Sequence, residues 1–368
     1  MSEWFHVANV GDVASPALLL YPGRIRENIR RMLRIARGPA RLRPHIKTHK
    51  LAELVRMQLE EGITKFKCAT IAEAEMAAGA GAVDVLIAYP LVGPNVERLL
   101  ALTRKFPATK FSCIADDAGA IRSLAATFSK CPAPLAVLLD VDCGQHRTGV
   151  EPGPKALELY RLIASSPGLE PGGLHVYDGH IQEPDLAKRT ALCAAAFAPV
   201  KSFCGELRAA GLAVPRVVAG GSPTFPIHAQ DETFECSPGT CVLWDFGYGE
   251  KFADLDFQVA ALVLTRVVSH PGANRLCLDL GYKAIAAENP PPRVQFLNLP
   301  DAMAIAHSEE HLVVETVRAG EFAVGDCLFG VPRHICPTVA LYSEAVVIHE
   351  GRATERGRIT ARERRITI

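Results

Sequence analysis

Arg41-Leu42-Arg43-Pro44-His45-Ile46-Lys47-Thr48-His49-Lys50 gathers six basic or imidazole side chains into ten residues. Arg43, His45 and Lys47 alternate with Leu42 and Ile46, a period of two that predicts a strand with one polar face. Pro44 donates no amide hydrogen, which argues against a regular central strand of an antiparallel sheet. The polar face runs into a helical pattern that begins at Leu51, and a strand end followed by a helix is where an α/β barrel keeps its chemistry. Lys47 is the reactive candidate: nearby cations lower the pKa of a lysine and free its amine to form a Schiff base. Taken alone, the stretch also fits a solvated basic turn.

The pattern repeats outward from there. Strand-like runs fall at 41–47, 65–69, 84–89, 110–115, 135–142, 173–177, 216–219 and 235–238. Helical stretches at 51–61, 71–80, 95–105, 117–130, 154–165 and 183–210, with a short connection at 226–231, separate them. Eight strands, nearly all followed by a helix or connection, predict an α/β fold of the (β/α)8 TIM-like barrel type over residues 1–246. An apolar run at 16–21 and a helical stripe at 24–37 precede the first of these strands. Polar and glycine residues gather after the strands, in Lys47-Thr48-His49, Asp140-Val141-Asp142, His175-Val176-Tyr177-Asp178-Gly179-His180 and Ala219-Gly220-Gly221-Ser222-Pro223-Thr224, as on a functional rim. From residue 247 the texture changes to short β-branched runs at 259–268, 275–280, 294–299, 312–316, 338–341, 345–349 and 366–368. These predict a C-terminal all-β domain, 247–368, which offers a surface for the first residues of the chain to pack on.

Lys+Arg and Asp+Glu are 40 each, so no charge excess points to nucleic acid or an anionic membrane surface. No apolar run reaches the length of a membrane span. The N-terminus lacks the basic and apolar regions of a secretory signal. The 11 cysteines form no Cys-x-x-Cys pair and read as reduced thiols, so a cytoplasmic location is expected.

Three motifs carry chemistry. Gly220-Gly221-Ser222-Pro223-Thr224 reads as a phosphate cradle or as an ordinary glycine-rich turn. Gly239-Thr240 after the next strand offers further donors for the same anion. Arg147, beyond the fifth strand, can hold a phenolate or carboxylate, or cap a surface loop. In Pro332-Arg333-His334-Ile335-Cys336-Pro337-Thr338, extended chain would turn His334 and Cys336 to one side as two metal ligands; a buried cysteine beside a satisfied histidine is the alternative. The cluster from His307 to His311 reads as a third ligand, a supporting group or plain surface, and Lys283 as catalytic or as a solvated turn lysine.

With these motifs in this order, the chain resembles the D-threonine aldolase and D-serine dehydratase family, fold type III pyridoxal-phosphate enzymes of alanine-racemase-like architecture. The resemblance runs over essentially the whole chain. It implies that Lys47 carries pyridoxal 5′-phosphate, that Arg147 meets the cofactor's phenolic oxygen, and that Tyr177 lies near its ring. It implies that Gly220, Gly221, Ser222, Thr224, Gly239 and Thr240 bind the phosphate. It implies that His334 and Cys336 hold a divalent metal, zinc or manganese, with the thiolate favouring zinc. A homodimer acting on small D-β-hydroxy-α-amino acids follows from the same likeness. Aldol cleavage to glycine and an aldehyde is the expected reaction, with His49 and His180 as candidate bases. A D-serine or D-threo-3-hydroxyaspartate dehydratase, with Lys47 as base and a keto acid and ammonia as products, is the alternative. A racemase would leave the His-x-Cys motif without a role. A non-catalytic cofactor carrier would leave the β domain without one.

Overall fold

The computed structural model describes residues 3–368. Its two compact units interleave along the chain. One comprises Met32–Lys47, Ala52–Gly239 and Glu363–Ile368; the other runs up to Arg31 and continues through Thr48–Leu51 and Thr240–Arg362.

The first strand, β1 (Ala17–Leu20), belongs to the second unit. The first unit is built on a parallel sheet of β2 (Lys65–Cys68), β3 (Asp84–Ile87), β4 (Lys110–Ala115), β5 (Leu135–Val141), β6 (Leu169–Val176), β7 (Val217–Ala219) and β8 (Phe234–Cys236). Among the described residues it has seven strands, laid side by side in chain order. Helices Ile71–Gly79, Pro94–Lys105, Ala118–Phe128, Pro154–Ser165 and Leu186–Ala209 connect them. Three of these start on side-chain caps: Thr70, Asp117 and Asp185 each accept an amide three residues on, satisfying a donor that the first helical turn leaves open.

The sequence predicted a strand over 41–47, and the structure corrects this. Residues Pro39–Arg41 and Ile46–Thr48 are single 3-10 turns. Between them only two isolated bridges form, Leu42 to Cys236 on β8 and His45 to Lys67 on β2. Pro44 is the physical cause, because it has no amide to donate and a continuous ladder cannot pass through it. Its carbonyl still accepts from Lys67 N at 2.9 Å, while Arg43 N donates to Cys236 O at 2.9 Å and His45 N to Pro238 O at 2.8 Å. The segment thus bonds to both edge strands of the sheet without being a strand.

The sheet's interior is layered. Leu86, Ile114, Leu138 and Val218 form an apolar cluster. At the strands' N-terminal end lies an ionic layer. Arg43, fully buried, binds both oxygens of Asp84 at 2.7 and 3.0 Å and Glu235 at 2.7 Å, while Lys65 reaches Glu235 and Arg216 reaches Asp84.

The second unit is mostly strand: β9 (Ala261–Gly272), β10 (Arg275–Leu278), β11 (Val294–Phe296), β12 (Met303–His307), β13 (Leu312–Glu315), β14 (Cys327–Pro332), β15 (Glu344–His349) and β16 (Arg352–Arg358). The sheet order is β12-β13-β10-β9-β1-β15-β16, with β14 beside β9 and β11 beside β14. β1 sits between β9 and β15 and is buried on both faces, as its unbroken Ala-Leu-Leu-Leu requires. Each of those leucines contributes roughly 1.5–3 kcal/mol through burial. Two expected runs fail. Residues 338–341 fall largely in the helix Ile335–Ala340, and 366–368 form no strand. Among the described residues no helix is long and apolar enough to cross a membrane.

Candidate active site

Lys47 lies in the turn that follows Pro44, half-buried, and its own amide donates to His45 Nδ1 at 3.3 Å. Its amine Nζ stands 5.8 Å from the centroid of the Tyr177 ring. Two more cations share that ring: Lys67 Nζ from β2 at 5.8 Å and Arg147 Cζ at 5.1 Å. Arg147 is exposed at the tip of a loop shaped by two carboxylates. Asp142 accepts the amides of Gly144 and His146, and Asp140 accepts the Thr148 hydroxyl at 2.8 Å. The loop closes at Gly149, whose φ of +98° and whose approach to Asp142 N, 2.7 Å from where a Cβ would stand, admit only glycine.

His175, which the sequence reading quoted but gave no role, stands directly across from Asp140 in the β5–β6 register. Its Nδ1 meets Asp140 Oδ1 at 2.7 Å, and its Nε2 is buried with no hydrogen-bond partner among the described residues. Burial lowers the ring's pKa, with Asp140 opposing, so the neutral imidazole is favoured. A histidine facing an aspartate across adjacent strand ends was the available signal.

The 220–224 loop follows β7. Gly220 has φ +69°, and a Cβ there would stand 2.6 Å from the His228 ring; one on Gly221 would press on Tyr177 at 3.2 Å. The buried Ser222 Oγ accepts Gly239 N at 3.1 Å. Thr224 is also buried, but its hydroxyl serves the protein: it donates to Asp178 Oδ1 at 2.9 Å and accepts Gly221 N at 3.3 Å. Asp178 Oδ2 meets His228 Nε2 at 2.6 Å. Cys193 completes a buried cluster with Asp178 and His228, their ligating atoms within 4.8 Å of one another. Burial pushes the Cys193 thiol up to about 12, and both Asp178 oxygens already hold hydrogen bonds, so the cluster works as a brace beneath the loop.

The two candidate bases differ. His180 is exposed, its Nε2 2.9 Å from where a Cβ on Gly144 would stand. His49, in the second unit, is 1% exposed and accepts the Leu51 amide at Nδ1. Burial pushes its pKa down to about 3.

Also in the second unit, His334 and Cys336 do come together, but not as alternate residues of extended chain. This corrects the expected geometry. His334 is the N-cap of the helix Ile335–Ala340, and Cys336 lies in its first turn with Pro337, where a missing amide costs nothing. Asp245 fixes the start of that helix by accepting Ile335 N at 3.0 Å. His334 Nδ1 meets Glu288 Oε1 at 2.6 Å, a partner with no signal in the sequence. Cys336 Sγ lies 3.2 Å from Thr48 Oγ1 and 3.4 Å from Thr240 Oγ1, so Thr240 is found beside the thiol. Burial raises the Cys336 pKa, but His334 and the two hydroxyls outweigh it and the thiol ends below its ordinary value. His307 bonds Arg293 at 3.0 Å and Leu280 O at 3.1 Å, and Lys283 pairs with Glu309 and Glu310 on the surface. Both are accounted for without a ligand.

Known proteins share this architecture. The alanine racemase N-terminal domain model matches residues 21–245, and the putative serine dehydratase domain model matches 260–348. A D-threonine aldolase from an Arthrobacter species is 31% identical over 95% of this chain and 93% of its own. The crystal structure of a D-threonine aldolase from Filomicrobium marinum superposes with a TM-score of 0.88 at 27% identity, covering 96% of each chain. A D-threo-3-hydroxyaspartate dehydratase from Delftia sp. HT23 superposes with a TM-score of 0.82 at 25% identity, covering 94% of this chain and 97% of its own.

Proposed function

Since this chain belongs to the D-threonine aldolase and D-serine dehydratase family of alanine-racemase-like proteins, we propose that it is a pyridoxal-phosphate- and divalent-metal-dependent lyase cleaving D-β-hydroxy-α-amino acids to glycine and an aldehyde. The observation that carries this reading is the convergence of Lys47, Lys67 and Arg147 on Tyr177, at the end of a parallel sheet where such folds place chemistry. Residues 42–45 then stand as the eighth stave of a barrel, supported by their bridges to β8 and β2.

The groups present fit the cofactor. The buried, partnerless Nε2 of His175 awaits a contact, and the 220–221 backbone leaves a hollow that a Cβ would fill. Lys47 would bond its aldehyde carbon, and Arg147 would meet its phenolic oxygen. Tyr177 would flank its ring, and Ser222 with the glycine amides would hold its phosphate. Bound there, it supplies an electron sink for charge developing at the substrate's Cα. Thr224 shapes the loop through Asp178 instead of spending its hydroxyl proton on the anion.

The donor set of His334 and Cys336, one imidazole nitrogen and one thiolate-prone sulfur, fits zinc better than manganese. A metal there supplies Lewis acidity toward an oxygen ligand. Of the two candidate bases, the exposed His180 is the better placed to take a proton from a substrate hydroxyl, because His49 is buried and burial makes its imidazole a weak base, with a pKa pushed down to about 3.

A dehydratase, with Lys47 Nζ taking the Cα proton, is the second reading; the match of 260–348 and the Delftia structure favour it. The family likeness also supports a homodimer, testable by light scattering, and the free thiols support a cytoplasmic location. The test is a product assay. The protein, loaded with pyridoxal phosphate and zinc or manganese, receives D-threonine, D-serine and D-threo-3-hydroxyaspartate. Glycine plus an aldehyde establishes the aldolase. A keto acid plus ammonia makes it the dehydratase, and no turnover of any substrate removes the named reaction.

A further inference from the structure

Lys67 occupies the middle of β2 between Phe66 and Cys68, and it is 2% exposed. An ammonium removed from water without a partner is costly, so a buried lysine calls for a counter-charge or a task. Its neighbours on the same face of the sheet have counter-charges. Arg43 holds two carboxylates at 2.7 Å, and Lys65 holds Glu235 at 2.6 Å. The Lys67 amine makes no hydrogen bond and no ion pair among the described residues. Its contact is the Tyr177 ring, at the same 5.8 Å as the Lys47 amine.

The charged groups acting on it come from every side. Lys47 lies in the 46–48 turn, Arg43 before Pro44, Asp140 at the end of β5 and Asp178 beyond β6. His175 and Arg147 complete the surroundings. Neither carboxylate is available to it. Asp140 spends its oxygens on His175 and Thr148, and Asp178 on Thr224 and His228. Two amines therefore share one aromatic ring, and neither hydrogen-bonds a carboxylate among the described residues.

We propose that Lys67 is the proton partner of Lys47: the buried, unpaired Lys67 amine accepts the proton that Lys47 must shed before its nitrogen reacts. This rests on the reading of Lys47 as the cofactor-bearing lysine. Burial first, and Lys47 second, bring Lys67 down to about 7, with Asp178 and Asp140 opposing. An amine of that basicity is partly unprotonated near neutral pH and can accept a proton. When the freed Lys47 nitrogen attacks an aldehyde carbon, a carbon–nitrogen bond forms and the carbonyl oxygen leaves as water. The protons lost by nitrogen are those gained by oxygen, and Lys67 returns the one it borrowed. Lys67 is in this sense a positioning residue, acting through Lys47.

The test uses the cofactor-free protein and its Lys67→Met, Lys67→Gln and Lys67→Arg variants. Each is mixed with pyridoxal phosphate from about pH 6 to about pH 10, spanning the range between a perturbed and an ordinary lysine. Visible absorbance follows attachment. In parallel, formaldehyde with cyanoborohydride labels each protein, and peptide mass spectrometry reads Lys47 against the exposed Lys188. In the parent, the Lys47 rate should level off above about pH 7, whereas in all three variants it should keep rising about tenfold per pH unit and lie about a hundredfold lower at neutral pH. Lys67→Arg decides between roles: it keeps the bulk and carries a fixed charge but accepts no proton, so a parent-like profile in Lys67→Arg overturns the proposal. Unchanged profiles in Lys67→Met or Lys67→Gln overturn it equally, and one folded variant of the three suffices. A parent that takes up no pyridoxal phosphate, yet shows the levelled profile with formaldehyde, refutes the cofactor reading and leaves the amine pair standing.

Discussion

Arg43 and Lys47 lie four residues apart in one basic segment, and their surroundings are opposite. Arg43 is fully buried with three hydrogen bonds to two carboxylates; the Lys47 amine has none. The difference extends through the sheet. At the N-terminal ends of the strands, Arg43, Lys65 and Arg216 are matched by Asp84 and Glu235. At the C-terminal ends, Lys47, Lys67 and Arg147 face Asp140 and Asp178, whose oxygens are already taken. One end is closed electrostatically and contributes stability. The other is left with cations that no carboxylate pairs with, which is how a site for an anionic ligand is prepared.

The sharpest way to break that contrast is to exchange the consequences of removing each cation. Lys47→Ala should abolish covalent cofactor attachment and lower activity by about a thousandfold or more, with no loss of thermal stability. Absorbance of the reconstituted protein and a glycine assay read the first effect, and calorimetry the second. A variant that still bonds the cofactor would remove Lys47 from its role. Arg43→Met should do the reverse. It leaves two buried carboxylates with reduced compensation and should cost about 3–5 kcal/mol by denaturant titration. The same layer sets the acid limit. Arg43 and the other bases hold Asp84 and Glu235 below their ordinary pKa, against the upward push of burial. A depressed carboxylate contributes stability above its unfolded pKa, about 4, and loses it as the pH falls through the lower folded value. The parent should therefore weaken below about pH 4, and Arg43→Met should show less of that acid-linked loss. Equal acid profiles would mean that the layer contributes no pH-linked stability.

How far this contrast could be read from the sequence depends on what each residue signals locally. The parallel strands were legible because their apolar runs are continuous and each is followed by a helical period, as in Leu135–Val141 before Pro154–Ser165. The 41–47 segment misled because period two in Arg43, His45 and Lys47 outweighed Pro44, although Pro44 was the residue that decided the local structure. β16 was missed because four of the seven residues of Arg352–Arg358 are charged, as on many edge strands, and it carries no apolar alternation. In the site, Lys47, Tyr177 and Arg147 were found as strand-end residues and do lie together. Lys67 and His175 gave no motif: a lysine inside an apolar strand and a histidine opposite an aspartate acquire meaning only once the register is known. Thr224 looked like an anion donor by composition, but its partner Asp178 lies 46 residues away in the chain.

The second unit offers a gentler comparison, between a proposed metal ligand and the residue that would orient its partner. Cys336→Ala removes a donor atom, so it should keep cofactor absorbance while lowering metal-supported activity about a hundredfold. Thorough chelation of the parent should reproduce that loss, and retained activity after chelation would exclude the metal from the reaction. The smallest effect should come from Glu288→Gln. The Glu288 carboxylate meets His334 Nδ1 at 2.6 Å, which favours the tautomer with hydrogen on that nitrogen and leaves Nε2 to coordinate. Such orienting partners are worth about 10–100-fold in metal affinity. Glu288 is nearly half exposed on its side chain, and a glutamine oxygen still accepts from Nδ1, so the lower end applies: about a tenfold weaker affinity in a cobalt or zinc titration. The cofactor spectrum should not change. An affinity equal to the parent's would reduce the Glu288–His334 contact to a surface ion pair, and a loss as large as that of Cys336→Ala would instead make Glu288 a ligand in its own right.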